Sequence, residues 1–421
     1  MIDANLSPEM IELGKRAKAA ARRLATVSTR QKDDALRAMA DALESHCSLI
    51  IAENEKDLEE GRRHGISNAL MDRLMLNEKR VREMADGLRD VAKLPDPVGE
   101  IIEGWKRPNG LIIEKVRVPL GVVAMIYEAR PNVTVDAAGL CLKSGNAVIL
   151  RGSSVAFHSN MILTKVISEA ASAAGIPDGA IQQVPSTTRE SAEELMRLVG
   201  YVDCLIPRGG ASLIQSVVRN AQVPVIETGV GNCHIYVDRS ADLDKAYPIV
   251  INAKCQRPGV CNAAETLLVH TEAADRFLPR MLELLKENGV QVFGDERVRA
   301  YATWVEPATE ADWEAEYLDL KLAVRVVDSI DEAIEHIARY GTGHSEAIIT
   351  EDYSAAKKFT EEVDASLVLV NASTRFNDGG QFGFGAEIGI STQKLHTRGP
   401  MGLKELTTIK YVAYGTGQIR E

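Results

Sequence analysis

The stretch GVVAMIYEARPNVTVDAAGLCLKSGNAVILR (121–151) holds two short apolar runs, GVVAMIYE and AVILR, with a helix-length segment between them. Short apolar runs without alternation mark strands buried on both faces, and such strands joined through helices form parallel sheets. The pattern repeats down the chain. Further strand candidates are IQQV (181–184), DCLIP (203–207), VPVIE (223–227), HIYVD (234–238), ETLLVH (265–270), AVRVVD (323–328), EAIIT (346–350) and SLVLVN (366–371). Helical segments lie between most of them, so the fold class is α/β.

Upstream, the chain reads as helices. Ser7-Pro8 supplies an N-cap and a first-turn proline. Ser28 and Gln31 have capping-box spacing, and Leu36, Met39 and Leu43 then share one face. Val81, Met84, Leu88 and Val91 form another such face, which ends before Pro95 and Pro97. GLIIEKVRVPLG (110–121) alternates partially between Gly and Pro and reads as a hairpin arm. ELTTIKYVAYGTG, near the C-terminus, reads as a further exposed strand. No repeat or low-complexity linker separates these regions, so interlocked domains are expected. They are a cofactor-binding α/β domain over 1–101 and 118–228, a catalytic α/β domain over 229–395, and an arm and tail (102–117 and 396–421) suited to pairing with another subunit.

A net charge of −11 argues against nonspecific binding to nucleic acid or to an anionic membrane. An anionic substrate must then meet a local cluster of arginines. No apolar run approaches the roughly 20 residues that span a bilayer, and no basic segment leads into an apolar stretch at the N-terminus. A cytoplasmic protein is expected. The six cysteines lack disulfide-scaffold spacing, and no CxxC or HExxH occurs, so no metal site is expected.

Neither GxGxxG after a strand nor GxxxxGK[ST] is present. GFGAEIG (383–389) follows a polar loop rather than a strand. IPRGG (206–210) and LRGSS (150–154) are better placed, each with an arginine where a strand gives way to a helix. Each suits a phosphate, or equally a tight βα turn. Two of them on successive units make a dinucleotide site more credible.

NAKCQRPGVCNAAETLLVH (252–270) carries two cysteines. Cys255 follows Leu243, Tyr247, Val250, Ile251 and Lys254 at helical spacing and reads as a packed thiol. Cys261 stands after the Pro258-Gly259 break and just before a core strand, with Arg257 near. Backbone amides and a cation there would lower a thiol's pKa and make it a nucleophile. A structural thiol is equally open from chemistry alone. Glu227, before Thr-Gly-Val-Gly, reads as a general base or as a solvated strand-end carboxylate.

Together, VPLGVVAMIYEARPNVTVDAAGLCLKSGNAVILRGS (118–153), IPRGG, VIETGVGNCHIYVD (225–238), QRPGVCNAAETLLVH (256–270) and LHTRGPMGLKELTT (395–408) resemble the aldehyde dehydrogenase superfamily. YEARPN, RPxxCNxxETLLVH and LHTRGPMGL point to its acyl-phosphate-reducing branch. The resemblance implies two interlocked α/β domains with parallel sheets and a small β oligomerisation arm. It implies Cys261 as nucleophile, Asn132 polarising the substrate carbonyl and Glu227 as base or proton relay. Arg151, Gly152, Ser153, Arg208, Gly209 and Gly210 fall where the superfamily binds NADP(H), and Glu316 of EYLDL matches a contact to the nicotinamide ribose. The implied reaction is NADPH-dependent reduction of L-glutamyl 5-phosphate to L-glutamate 5-semialdehyde and phosphate through a cysteine thioester, in proline biosynthesis. A homo-oligomer is implied, and an upstream glutamate kinase is a possible partner for hand-over of the labile acyl phosphate. Such a doubly anionic substrate calls for arginines, and Arg130, Arg257, Arg375 and Arg398, with His396, lie in or just before the specific motifs. The alternative, a hydrolytic NAD(P)-dependent semialdehyde dehydrogenase, shares Cys261 and Glu227 but gives those arginines no task.

Overall fold

A computed structural model describes residues 6–420; residues 1–5 and 421, the outermost positions of the expected domains, lie outside the described residues. The chain forms two compact units. Unit 1 comprises Met1–Thr228, Gly383–Gly389 and Met401–Glu421, and unit 2 comprises Gly229–Phe382 and Ile390–Pro400. This differs from the expected division in three places. The arm strands cluster with unit 1, residues 383–389 return to it, and residues 396–400 belong with unit 2 through the hairpin Ile390–Ser391/Gly399–Pro400.

Unit 1 is built on a four-stranded parallel sheet in the order Ile181–Gln183, Ala147–Arg151, Val122–Tyr127, Cys204–Arg208. All of Val122–Tyr127 is buried, as an unalternating apolar run requires. The helices Pro8–Leu24, Thr29–Ser45 and Glu78–Lys93 contribute apolar faces to the same core. Ser7 and Ser28 cap the first two, each Oγ accepting at 3.3 Å from the N–H of Met10 or Gln31.

Two lysines are wholly buried in this core. The Lys32 ammonium meets Asp96 at 2.5 Å and donates to the Lys143 carbonyl at 3.1 Å. Lys143 pairs with Asp33 and donates to the Ala92 carbonyl at 3.0 Å. Burial pulls the Lys32 pKa down, with the bond and charge of Asp96 opposing. The two ammonium groups join Thr29–Ser45 to Glu78–Lys93 and to the helix Asn132–Lys143.

The expected arm and tail strands pair with each other. Ile112–Pro119 is the middle of a three-stranded antiparallel sheet, flanked by Ile101–Lys106 and Thr407–Tyr414. Ile101, Ile102, Trp105, Ile112, Tyr411 and Tyr414 are exposed on it.

Unit 2 is built on a seven-stranded parallel sheet. Its order is Glu306–Pro307, Gln291–Gly294, Lys321–Val327, Ala264–His270, Cys233–Val237, Ser345–Ile349, Leu367–Val370. Cys233–Val237 and Ala264–His270 are completely buried at its centre. The expected strand 223–227 does not form. Only Val225 bridges Leu205, because Pro224 has no N–H to extend the ladder. No described helix is long and apolar enough to cross a membrane.

Removing Asp96 would strand a buried ammonium. Asp96→Ala is expected to lower unfolding stability by about 3–5 kcal/mol, whereas Lys32→Met/Asp96→Leu recovers most of it. Urea unfolding followed by circular dichroism checks both.

Candidate active site

In unit 2 the helix Leu243–Cys255 begins at Asp242, whose carboxylate accepts the Asp244 N–H at 3.0 Å, and ends in the Pro258-Gly259 turn. The chain then enters Ala264–His270, leaving half-buried Cys261 just before a buried strand. A bond from the Ala263 N–H to the Val260 carbonyl (3.1 Å) closes the turn around it. Cys233 Sγ donates to the Cys261 carbonyl at 3.1 Å. A β-carbon at Gly231 would fall 1.5 Å from that same carbonyl oxygen, so only glycine fits there. The Gly231 N–H is held by Glu316 Oε1 at 2.7 Å, and burial raises the Glu316 pKa. Glu316 thus stands behind the loop that abuts the cysteine. Cys255 is half-buried among core residues, and burial raises its thiol pKa.

Beneath the cysteine loop, Lys254 Nζ and Glu265 Oε2 meet at 2.5 Å with both side chains wholly buried. Glu265 Oε1 also accepts the Leu318 N–H at 3.2 Å. Burial pushes the Glu265 carboxyl up to about 7, with Lys254 pulling the other way.

Two of the expected arginines accompany Cys261. Arg375 donates from Nε to Gln256 Oε1 at 2.8 Å and from Nη1 to Asn262 Oδ1. Burial and the nearby charge of Arg257 both lower the Arg375 pKa, and the charge of Asp378, followed by that of Cys261, acts in the opposite sense. Neither guanidinium forms an ion pair among the described residues. Arg375 also lines a cavity of about 220 Å³ with Asn252, Gln256, Phe376, Asp378 and Gln381. Asn262 is fixed in turn, donating to the Asn377 carbonyl at 2.9 Å and accepting from Thr374 Oγ1 at 2.7 Å through its own carbonyl. Arg398 is engaged elsewhere, at 2.6 Å from Asp364, which also takes Lys394 at 2.5 Å. His396 is exposed at φ +67.

In unit 1, Asn132 opens the helix Asn132–Lys143 and donates to Asp136 Oδ2 at 2.9 Å. The half-buried Asp136 carboxyl is pushed up to about 6, chiefly by burial, with Asn132 and the charge of Arg208 opposing. Arg208 ends the strand Cys204–Arg208, and Thr228 Oγ1 donates to the Pro207 carbonyl at 2.8 Å. Asn132, Asp136, Arg208 and the segment carrying Glu227 thus gather at the carboxyl ends of the sheet, where open α/β sheets bind ligands. Arg130 is half-buried in the same loop, its backbone N–H bonded to the Glu128 carbonyl at 2.7 Å.

The expected cofactor residues separate into two places. At Gly209-Gly210 the Glu128 side chain fills the space a side chain would take, its carboxyl carbon 2.6 Å from a β-carbon built on Gly209. That carboxylate opposes a phosphate in the same spot. Arg151 is better placed for one. It donates from Nη2 to the carbonyls of Thr187 (2.7 Å) and Thr188 (2.8 Å), while its buried Nε has no partner. It lines a cavity of about 500 Å³ with Arg189, Arg197, Leu213, Ser216 and Asn220. Ser153 Oγ caps the turn that follows, accepting the Val155 N–H at 3.3 Å, and a β-carbon at Gly152 would fall 2.0 Å from Asn160. Asp136, Arg189 and Arg197 were not singled out from sequence. Only the spacing of Asp136 one helical turn beyond Asn132 could have signalled it.

A model of the aldehyde dehydrogenase family matches residues 7–301, and the chain belongs to that family. The gamma-glutamyl phosphate reductase of Moorella thermoacetica is 64% identical over 417 residues, covering 99% of this chain and 100% of the relative. That of Carboxydothermus hydrogenoformans is 62% identical over 412 residues, covering 98% and 99%. The crystal structure of the Thermotoga maritima gamma-glutamyl phosphate reductase superposes with a TM-score of 0.96 at 52% identity, covering 98% of this chain and 100% of that one. An acetylating aldehyde dehydrogenase from Geobacillus thermoglucosidasius, 21% identical with a TM-score of 0.71 and 98% coverage of each chain, shares the fold. Within its family the chain belongs with the gamma-glutamyl phosphate reductases, oxidoreductases of amino-acid biosynthesis.

Two outcomes follow from this geometry. Gly231→Ala must displace the Cys261 loop, and a shift of that size is expected to lower kcat by about 100-fold in protein that is still folded by circular dichroism. Asp136 has a folded pKa raised above its unfolded value of 3.8. Its contribution to stability is therefore full below about pH 4 and is lost, by up to about 3 kcal/mol, as pH rises through about 6. Asp136→Asn should flatten that part of the stability–pH curve, read by urea unfolding between about pH 4 and 7.

Proposed function

We propose that the protein reduces L-glutamyl 5-phosphate to L-glutamate 5-semialdehyde and phosphate with NADPH, through a thioester on Cys261, in the cytoplasmic synthesis of proline. The observation that carries this reading is Cys261 on a loop accompanied by Arg257 and Arg375, neither of which forms an ion pair among the described residues. A nucleophile with two available cations suits an acyl group that carries anions, because planar guanidinium groups bind carboxylate or phosphate bidentately. The full-length likeness to proteins named gamma-glutamyl phosphate reductase supports the same substrate.

In this reading the Cys261 thiolate attacks the acyl carbon, the bond to the phosphate oxygen breaks, and phosphate leaves. Arg257 and Arg375 hold the anionic substrate and stabilise the departing charge. Covalent capture divides one difficult step into two easier ones. Bound NADPH would supply the hydride that brings the thioester carbon to the aldehyde level. Cys261 then leaves as thiolate, and the aldehyde is released. Asn132 is proposed as a hydrogen-bond donor to the substrate oxygen, and Glu227 as a proton relay that does not activate water. Unchanged turnover in Glu227→Gln would remove the latter role.

The cavity that Arg151 shares with Arg189 and Arg197 supports a site for the extra phosphate of NADP(H), which guanidinium groups bind well. Arg151→Ala is expected to raise the KM for NADPH about tenfold or more with little change for NADH, a loss of about 1.4 kcal/mol. The exposed apolar arm and the edge strand Leu367–Val370 support a homo-oligomer built by strand or arm pairing with a second copy.

The deciding experiment runs the reaction backwards with glutamate semialdehyde and NADP, with and without inorganic phosphate. NADPH formation that requires phosphate and is lost in Cys261→Ser is the expected result. Equal rates in phosphate-free buffer would make water the acceptor and the protein a hydrolytic dehydrogenase.

A further inference from the structure

We propose that the buried Lys254–Glu265 ion pair is a positioning device for Cys261, acting on both sides of the nucleophile through one carboxylate. The inference rests on Cys261 being the nucleophile. Lys254 lies in the last turn of Leu243–Cys255, and Glu265 lies near the start of Ala264–His270. Their 2.5 Å contact therefore ties together the two ends of the loop that carries the cysteine. The second oxygen of Glu265 reaches a different segment, accepting the Leu318 N–H at 3.2 Å. Leu318 has φ +52, a conformation that a leucine adopts only when its surroundings hold it there.

The turn fixed in this way presents Glu316, which grips the Gly231 N–H at 2.7 Å, and Gly231 leaves no space between itself and the Cys261 carbonyl. One carboxylate thus sets the span of the cysteine loop from below and the wall behind it from the side. Stability alone does not explain such a pair. Two fully buried charges repay their desolvation only with good geometry, and apolar residues of similar volume usually serve a core as well or better. The reaction uses neither residue directly, so the pair acts through Cys261.

The test is the double variant Lys254→Met/Glu265→Leu, which removes both charges and leaves neither stranded. Three quantities are compared with wild type: thermal unfolding, kcat against the KM for NADPH, and the pH profile of iodoacetamide alkylation at Cys261 mapped by peptide mass. Positioning predicts a folded protein whose kcat falls about 10- to 100-fold. The cofactor KM should stay within about threefold, and the alkylation profile of Cys261 should shift. A folded double variant with wild-type kcat and alkylation profile overturns the proposal, because the pair would then be structural only. If the double variant does not fold, Glu265→Asp asks the same question by drawing the charge back one methylene. Lowered kcat at unchanged KM upholds positioning, and unchanged kcat overturns it. A separate Cys261→Ser control that keeps full turnover would strike the nucleophile reading itself, a result distinguishable from either outcome above.

Discussion

Unit 2 depends on one close approach, the Cys261 carbonyl lying where a side chain on residue 231 would otherwise be. The two segments meet there because their strands are parallel neighbours, with Cys233 in register with Ala264. Parallel pairing brings the two entry loops to the same end of the sheet. Everything around the cysteine is organised from that meeting. Cys233 and Glu316 each hold one of the two backbones, and Asn262 is fixed from the next loop by Thr374 and Arg375. Cys261 is therefore placed by contacts to its backbone rather than by a flexible side chain.

The candidate residues of the two units lie at opposite ends of their strands. In unit 1 Arg151 and Arg208 end strands and Asn132 opens the helix after one, the usual arrangement for an open α/β sheet. In unit 2 both Gly231 and Cys261 precede strands. A search of unit 2 guided only by the carboxyl-end rule would pass over its cysteine.

Much of the fold was legible because the central strands are buried on both faces and so read as unbroken apolar runs. VPVIE looked like another and is not, since Pro224 limits it to a single bridge beside Leu205. Gln291–Gly294 and Glu306–Pro307 escaped notice because such short strands carry too few apolar residues to show a period. At the site, the Pro258-Gly259 break separated Cys261 from Cys255 on local grounds, and the family resemblance then chose between them. Glu128 over Gly209, and Lys254 against Glu265, are tertiary contacts that no local spacing announces. The expectation that Arg398 serves the substrate came from its motif alone, and the motif does not reveal Asp364 beside it.

The discontinuity of unit 1 has a consequence for synthesis. Met401, Leu403 and Leu406 are buried in the same core as the N-terminal helices, and Thr407–Tyr414 completes the sheet begun by Ile101–Lys106. While a ribosome is still translating unit 2, the earlier unit is a body with an open seam, its interior lacking those late-arriving side chains. Folding of the first-made part is thereby made conditional on the rest. A chain truncated within unit 2 cannot seal unit 1, and its exposed apolar seam is what a chaperone or protease would detect.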